Sequence, residues 1–253
     1  AVRPETSAAA VFDPSEDATK ALRAAGFGAV LTHVQDGVVR GSGAVVMPLE
    51  DPREALLASD VSFHMSFRKG SSSQNYPNSL MGATALLRQT HLDAEWYAQA
   101  APRGMSGGTN LSLDAFVRAG DLPRVFSAGS WKDVLRADVL FSEFGVKNAI
   151  MLGSGDGYQR AVSIAETGHR MAVPVDFPSG YDVSDPHLAR MIGFHELKHW
   201  ELAPSNAARL HNAGVPLAFT AHGLKDPGKF LSGVRKAVEA GLPEKVALRA
   251  LTS

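Results

Sequence analysis

Three apolar runs end in side chains that could do chemistry: AVLTH ends at His33, MAVPVD at Asp176 and LAFTAH at His222. Imidazole and carboxylate groups at strand ends can bind a divalent metal or move protons, so His33, Asp176 and His222 form the candidate catalytic set. The competing reading is structural, since a histidine at a strand end also serves to hydrogen-bond a neighbouring loop.

A second constellation is HELKHWELAPSN, residues 195–206. His195, Glu196 and His199 have the order H-E-x-x-H. On a helix this places both imidazoles on one face, with the glutamate as general base, as in a zinc protease. That chemistry needs a third ligand, and the flanking α/β pattern is not the protease architecture. His199 is therefore kept as a binding residue or as a member of an altered acid–base set. Arg68 and Lys69 open RKGSSSQNYPNS, a polar, turn-rich loop in which they could contact an anionic or polar ligand. Its serines lack the G-x-S-x-G context of a nucleophile elbow. GSGDGYQ (153–159) could seat a phosphate on backbone amides, but its glycines alternate and Asp156 would repel an anion, which favours a tight strand-to-helix turn.

The elements that position these residues follow a recurring pattern of helix, glycine and strand. It occurs at ATKALRAAGFGAVLTH (18–33), VLRADVLFSEFGVKNAIML (134–152), YQRAVSIAETGHRMAVPVDF (158–177) and SNAARLHNAGVPLAFT (205–220). Glycine just past a helix end takes the left-handed conformation without a Cβ clash. The strands that follow are continuously apolar, as parallel strands buried on both faces are. Residues 131–145 and 79–101 have helical spacing, and 42–49 and 61–67 read as strands. The expected fold is a (β/α)8 TIM-type barrel, whole or partial, forming a single domain or segment over 1–253, with RKGSSSQNYPNS as a loop over its mouth. An open doubly wound sheet is the alternative.

The chain has 253 residues, 45% of them hydrophobic, which is enough for one large core. Its charged residues, 20% of the total, are mixed in sign with a formal net charge of −1, and no basic stripe points to nucleic acid. No apolar run reaches the ~18–20 residues of a membrane span. The absence of cysteine excludes disulfides, thiolate zinc sites and a cysteine nucleophile. No compartment is indicated. The chain starts at Ala1 and stops after LPEKVALRALTS, which reads as a segment of a longer polypeptide, with the other domains of that polypeptide as expected partners.

AAGFGAVLTHVQDGVVRGSGAVVM, YPNSLMGATALLRQTHLDAEWY, LPRVFSAGSWKDVLRADVLFSEFGV and WELAPSNAARLHNAGVPLAFTAHG resemble successive segments of the amidohydrolase superfamily, specifically its imidazolonepropionase-like members. The resemblance implies a metal-dependent hydrolase barrel in which one or two metal ions, usually zinc, activate water against a C–N bond. It also implies ligands that this chain does not supply. Ser127-Ala128-Gly129 stands where the family has His-Ala-His, Gly153 where it has a histidine and Ala221 where it has an aspartate; the first-strand His pair would precede Ala1. Zinc needs about three protein ligands and a water. Zinc is thus implied by resemblance alone, and the first expectation is a catalytically silent segment without cofactor. The alternatives are an active hydrolase built on His33, Asp176, His199 and His222, or a module that binds a small molecule.

Overall fold

In the computed structural model, which describes residues 1–252, the first elements are short and locally capped. After a single turn, α1 (Ala8–Val11), Ser15 Oγ accepts a hydrogen bond from Ala18 N and starts α2 (Glu16–Ala24), with Glu16 and Asp17 in its first turn. The serine satisfies one of the open N–H groups and the two acids complement the helix dipole. Three strands follow: β1 (Val30–Thr32), β2 (Val39–Val46) and β3 (Leu56–Ser66), with the one-turn α3 (Pro52–Ala55) before β3. They form an antiparallel meander, Val30 opposite Val46 and Ser42 opposite Phe63.

Two long helical segments come next. α4 (Leu80–Ala100) starts at Ser79, whose Oγ accepts from Gly82 N, and α5 (Leu111–Arg118) starts at Asn110, whose Oδ1 accepts from Leu113 N. β4 (Arg124–Ser127) then pairs parallel with β3, placing Phe63 beside Arg124 and Ser66 beside Ser127. The rest of the chain is α6 (Trp131–Glu143), β5 (Ile150–Leu152), α7 (Ala161–Glu166), β6 (Arg170–Pro174), α8 (Pro186–Met191), α9 (Phe194–Leu202), α10 (Asn206–Asn212), β7 (Leu217–Thr220), α11 (Phe230–Glu239) and α12 (Glu244–Thr252). β6 and β7 are parallel, with Met171 beside Leu217. The glycine stops expected from the sequence are present: Gly145 and Gly168 have φ of 68° and 70° at the ends of α6 and α7.

The chain divides into two compact units. The first is Ala1–Ser127 with Ala137–Ile150, and the second is Ala128–Arg136 with the residues from Met151 onward. In the first unit Phe126 meets Phe141 edge-on at 5.7 Å and Phe67 at 4.7 Å, while Phe63 packs edge-on against Phe116 at 5.3 Å. Such pairs add about 0.5–1.5 kcal/mol each beyond the area they bury. In the second unit Met151, Ile164, Leu210 and Leu242 are fully buried.

The (β/α)8 TIM-type barrel expected from the sequence is not the observed fold. The described residues hold seven strands rather than eight, and the sheet is mixed. One helix per strand is not maintained either, because β1, β2 and β3 follow one another with only the four residues of α3 between them. The reason is chain length. A parallel return needs a crossover of about a dozen or more residues. His33–Val38 and Met47–Ala55 are both too short, so β2 and β3 must turn back antiparallel. No helix among the described residues is long and apolar enough to cross a membrane.

Candidate functional site

His33 lies just past β1 and stacks on His64 of β3, with ring centroids 4.1 Å apart and planes 6° from parallel. His64 is 1% exposed. Its Nε2 is 2.8 Å from Ser62 Oγ, and its Nδ1 is buried without a hydrogen-bond partner among the described residues. Burial, followed by the nearby His33 and Arg40, pushes the His64 pKa down to about 2. The ring is therefore neutral, as a low-dielectric setting dictates for a base.

Arg40 completes this interior network. Its Nε donates to Gly37 O at 3.0 Å, Nη2 to Arg68 O at 3.0 Å and Nη1 to Ser127 Oγ at 3.4 Å. Burial lowers its pKa as well. Ser62 and His64 are types that could form a nucleophile–base couple, but both are sealed inside the unit. Their arrangement is that of a buried core network, satisfied except at His64 Nδ1, rather than an open reaction centre.

Arg68 is exposed, and its amide N donates to Ser66 Oγ at 3.1 Å. Lys69 Nζ donates to Gln74 O at 2.5 Å, so this ammonium ties down its own loop. In the second unit, Asp176 is exposed beyond the end of β6. His222 is exposed in the turn after β7, where its N donates to Thr220 Oγ1 at 3.0 Å.

The H-E-x-x-H segment does form a helix, α9. Glu196 is used structurally: its Oε2 accepts from Gly193 N at 2.8 Å and caps the helix start. His199 Nδ1 lies 3.2 Å from the Tyr158 hydroxyl, with the two rings stacked at 5.9 Å. Tyr158 is buried, its N donates to Asn206 Oδ1 at 2.7 Å, and burial is the main cause of its raised pKa.

The positions at which the resemblance implies metal ligands are taken up by packing. Ser127 bonds Arg40 through its hydroxyl, and its carbonyl accepts from Ser66 Oγ at 2.9 Å. Gly153 N donates to Ala172 O at 3.0 Å, and a Cβ at this glycine would lie 2.8 Å from the Met171 methyl. Ala221 O accepts from Leu224 N at 3.1 Å in a turn. Among the described residues no group of three or more His, Cys, Asp or Glu side chains is placed to hold a metal ion.

Two important residues escaped the sequence reading. His64 sits in VSFHMSF as a lone histidine between apolar residues and serines, and Arg40 in GVVRGSGAVV is a lone charge in an apolar, glycine-rich run. A solitary ionisable side chain in such a run was the available signal.

Comparison with known proteins places this fold. No family model matches the chain, and no curated protein matches it. Among solved structures, the chain is similar to an amidohydrolase from Thermotoga maritima MSB8, with a TM-score of 0.76 and 20% identity. The likeness covers 99% of this chain and 66% of that one, so the chain spans just under two-thirds of the length of the amidohydrolase. At this identity the similarity defines the class of fold, which is amidohydrolase-like.

Proposed function

We propose that this chain is an imidazolonepropionase-like amidohydrolase module, related to hydrolases of non-peptide C–N bonds, that has lost its metal site and is catalytically silent by itself. The observation that carries this reading is that the three positions at which the resemblance implies ligands hold Ser127, Gly153 and Ala221, none of which has an imidazole or a carboxylate. A Cβ at position 153 would lie 2.8 Å from the Met171 methyl, the far end of a flexible side chain that can shift. Ser127 and Ala221 supply no imidazole or carboxylate at the other two positions. Without about three protein ligands, a metal-bound water is not held and its pKa is not lowered.

The experiment is to load the purified chain with zinc, dialyse it against a weak chelator and measure bound metal by mass spectrometry. The expected result is far less than one zinc per chain, with no chelator-induced change in thermal unfolding. Near-stoichiometric metal that survives dialysis would overturn the proposal.

A further inference from the structure

The second unit contains a cleft of about 310 Å³. Trp131 at the start of α6 and Tyr158, Gln159 and Arg160 after β5 line it. So do His195, Lys198 and Leu202 of α9 and Arg209 of α10. No carboxylate lines it. Its size is at the lower end of the ~300–1,000 Å³ range typical of small-molecule pockets.

The two arginines are held in place, and among the described residues none of the three cations is in an ion pair. The Arg160 guanidinium sits 5.3 Å from the centre of the Trp131 ring, and that of Arg209 sits 6.0 Å from the centre of the Tyr158 ring. Arg160 Nη1 donates to the Gln159 carbonyl at 3.2 Å and Arg209 Nε to Ser205 Oγ at 3.0 Å. Among the described residues, no ion pair involves Arg160, Lys198 or Arg209. Three positive groups line one cleft that has no carboxylate in its wall, a setting that favours a bound anion. The aromatic walls are fixed as well. Trp131 Nε1 donates to Gln159 Oε1 at 3.2 Å, and Tyr158 is held by Asn206 and His199. Guanidinium planes supported on aromatic faces match the planar fork of a carboxylate or phosphate, and walls ordered beforehand lower the entropy lost on binding.

We infer that this cleft binds a small organic anion. Its carboxylate or phosphate lies on Arg160, Lys198 and Arg209, and its apolar part lies against Trp131, Tyr158 and Leu202. This site uses none of the implied ligand positions and stands whether or not the chain binds metal.

The test is a titration of the full chain, at low salt where screening is weak, with phenyl phosphate, benzoate, inorganic phosphate and neutral benzamide. Binding is followed by calorimetry and by the Trp131 indole N–H resonance, assigned with Trp131→Phe. Saturable binding of phenyl phosphate or benzoate is expected, with movement of that resonance and no response to benzamide. The tighter of the two identifies the anionic group. Arg160→Gln and Lys198→Gln should each weaken binding about tenfold or more, the order set by one charge-assisted hydrogen bond. Both side chains are exposed, and unchanged thermal unfolding would show that the fold is intact. The proposal is overturned by no saturable binding up to about 10 mM, by benzamide binding as well as benzoate, or by binding that ignores both substitutions. Inorganic phosphate binding as tightly as phenyl phosphate overturns it too, because the apolar walls would then contribute nothing.

Discussion

The His33 and His64 rings lie face to face, 4.1 Å apart and within 6° of parallel, with a neutral His64 buried beneath. Burial of the inner ring, and then the neighbouring His33, disfavour a proton on His64, and this makes stability depend on pH.

The folded-state pKa of His64, about 2, lies below the unfolded value of about 6.5. The unfolded chain therefore takes up the proton first. The contribution of His64 is complete above pH ~6.5 and falls with pH by up to ~1.4 kcal/mol per unit until the pH nears the folded pKa. His91, whose pKa burial also lowers, acts in the same direction. Urea unfolding at pH 7.5, 6.5 and 5.5 should show a falling midpoint, and His64→Gln should show a shallower fall. An identical pH dependence in the variant would count against the burial of a neutral His64.

Gly43 lies under the same pair. A Cβ there would sit 2.6 Å from His64 Nε2 and 2.6 Å from Ser62 Oγ, both buried. Gly43→Ala should lower stability by about 1–3 kcal/mol, as overpacking does, seen as a reduced Tm. An unchanged Tm would mean that the network can shift.

Arg40 makes three hydrogen bonds, one to Gly37 O just before β2, one to Arg68 O and one to Ser127 Oγ of β4. Arg40→Met keeps much of the stem but leaves two carbonyls without this donor, and should cost about 2–4 kcal/mol. Arg40→Lys should recover only part of this, since an ammonium cannot reproduce the planar fork. Chemical denaturation of the three proteins separates these outcomes, and full recovery by lysine would refute the geometric argument.

Asn206 is buried at the start of α10, and its Oδ1 accepts the Tyr158 amide at 2.7 Å. Asn206→Ala should cost about 1–3 kcal/mol, the penalty of leaving a buried N–H unpaired. It should also speed amide hydrogen exchange at Tyr158. Protection equal to that of the unsubstituted chain would show that another acceptor takes over.

Much of the chain was legible locally. α4, α6 and α10 fall close to where periodicity, serine and asparagine caps and glycine stops put them. Those signals act within one or two turns of backbone, so the sequence displays them directly. The barrel expectation failed at β1–β3, where the decisive quantity was the length of two connections. Both connections were visible, but their consequence appears only when strands pair.

The sequence by itself displayed the helices α4, α6 and α10, the glycines between helix and strand, and the residue types at Ser127, Gly153 and Ala221. Only the tertiary structure decided that β1–β3 return antiparallel and that His64 and Arg40 share one interior network. It also placed Met171 against Gly153 and gathered Trp131, Arg160, Lys198 and Arg209 around one cleft. These residues are far apart in sequence, and contacts between them depend on how whole elements pack. Capping and periodicity, which act between near neighbours, carry no record of that packing.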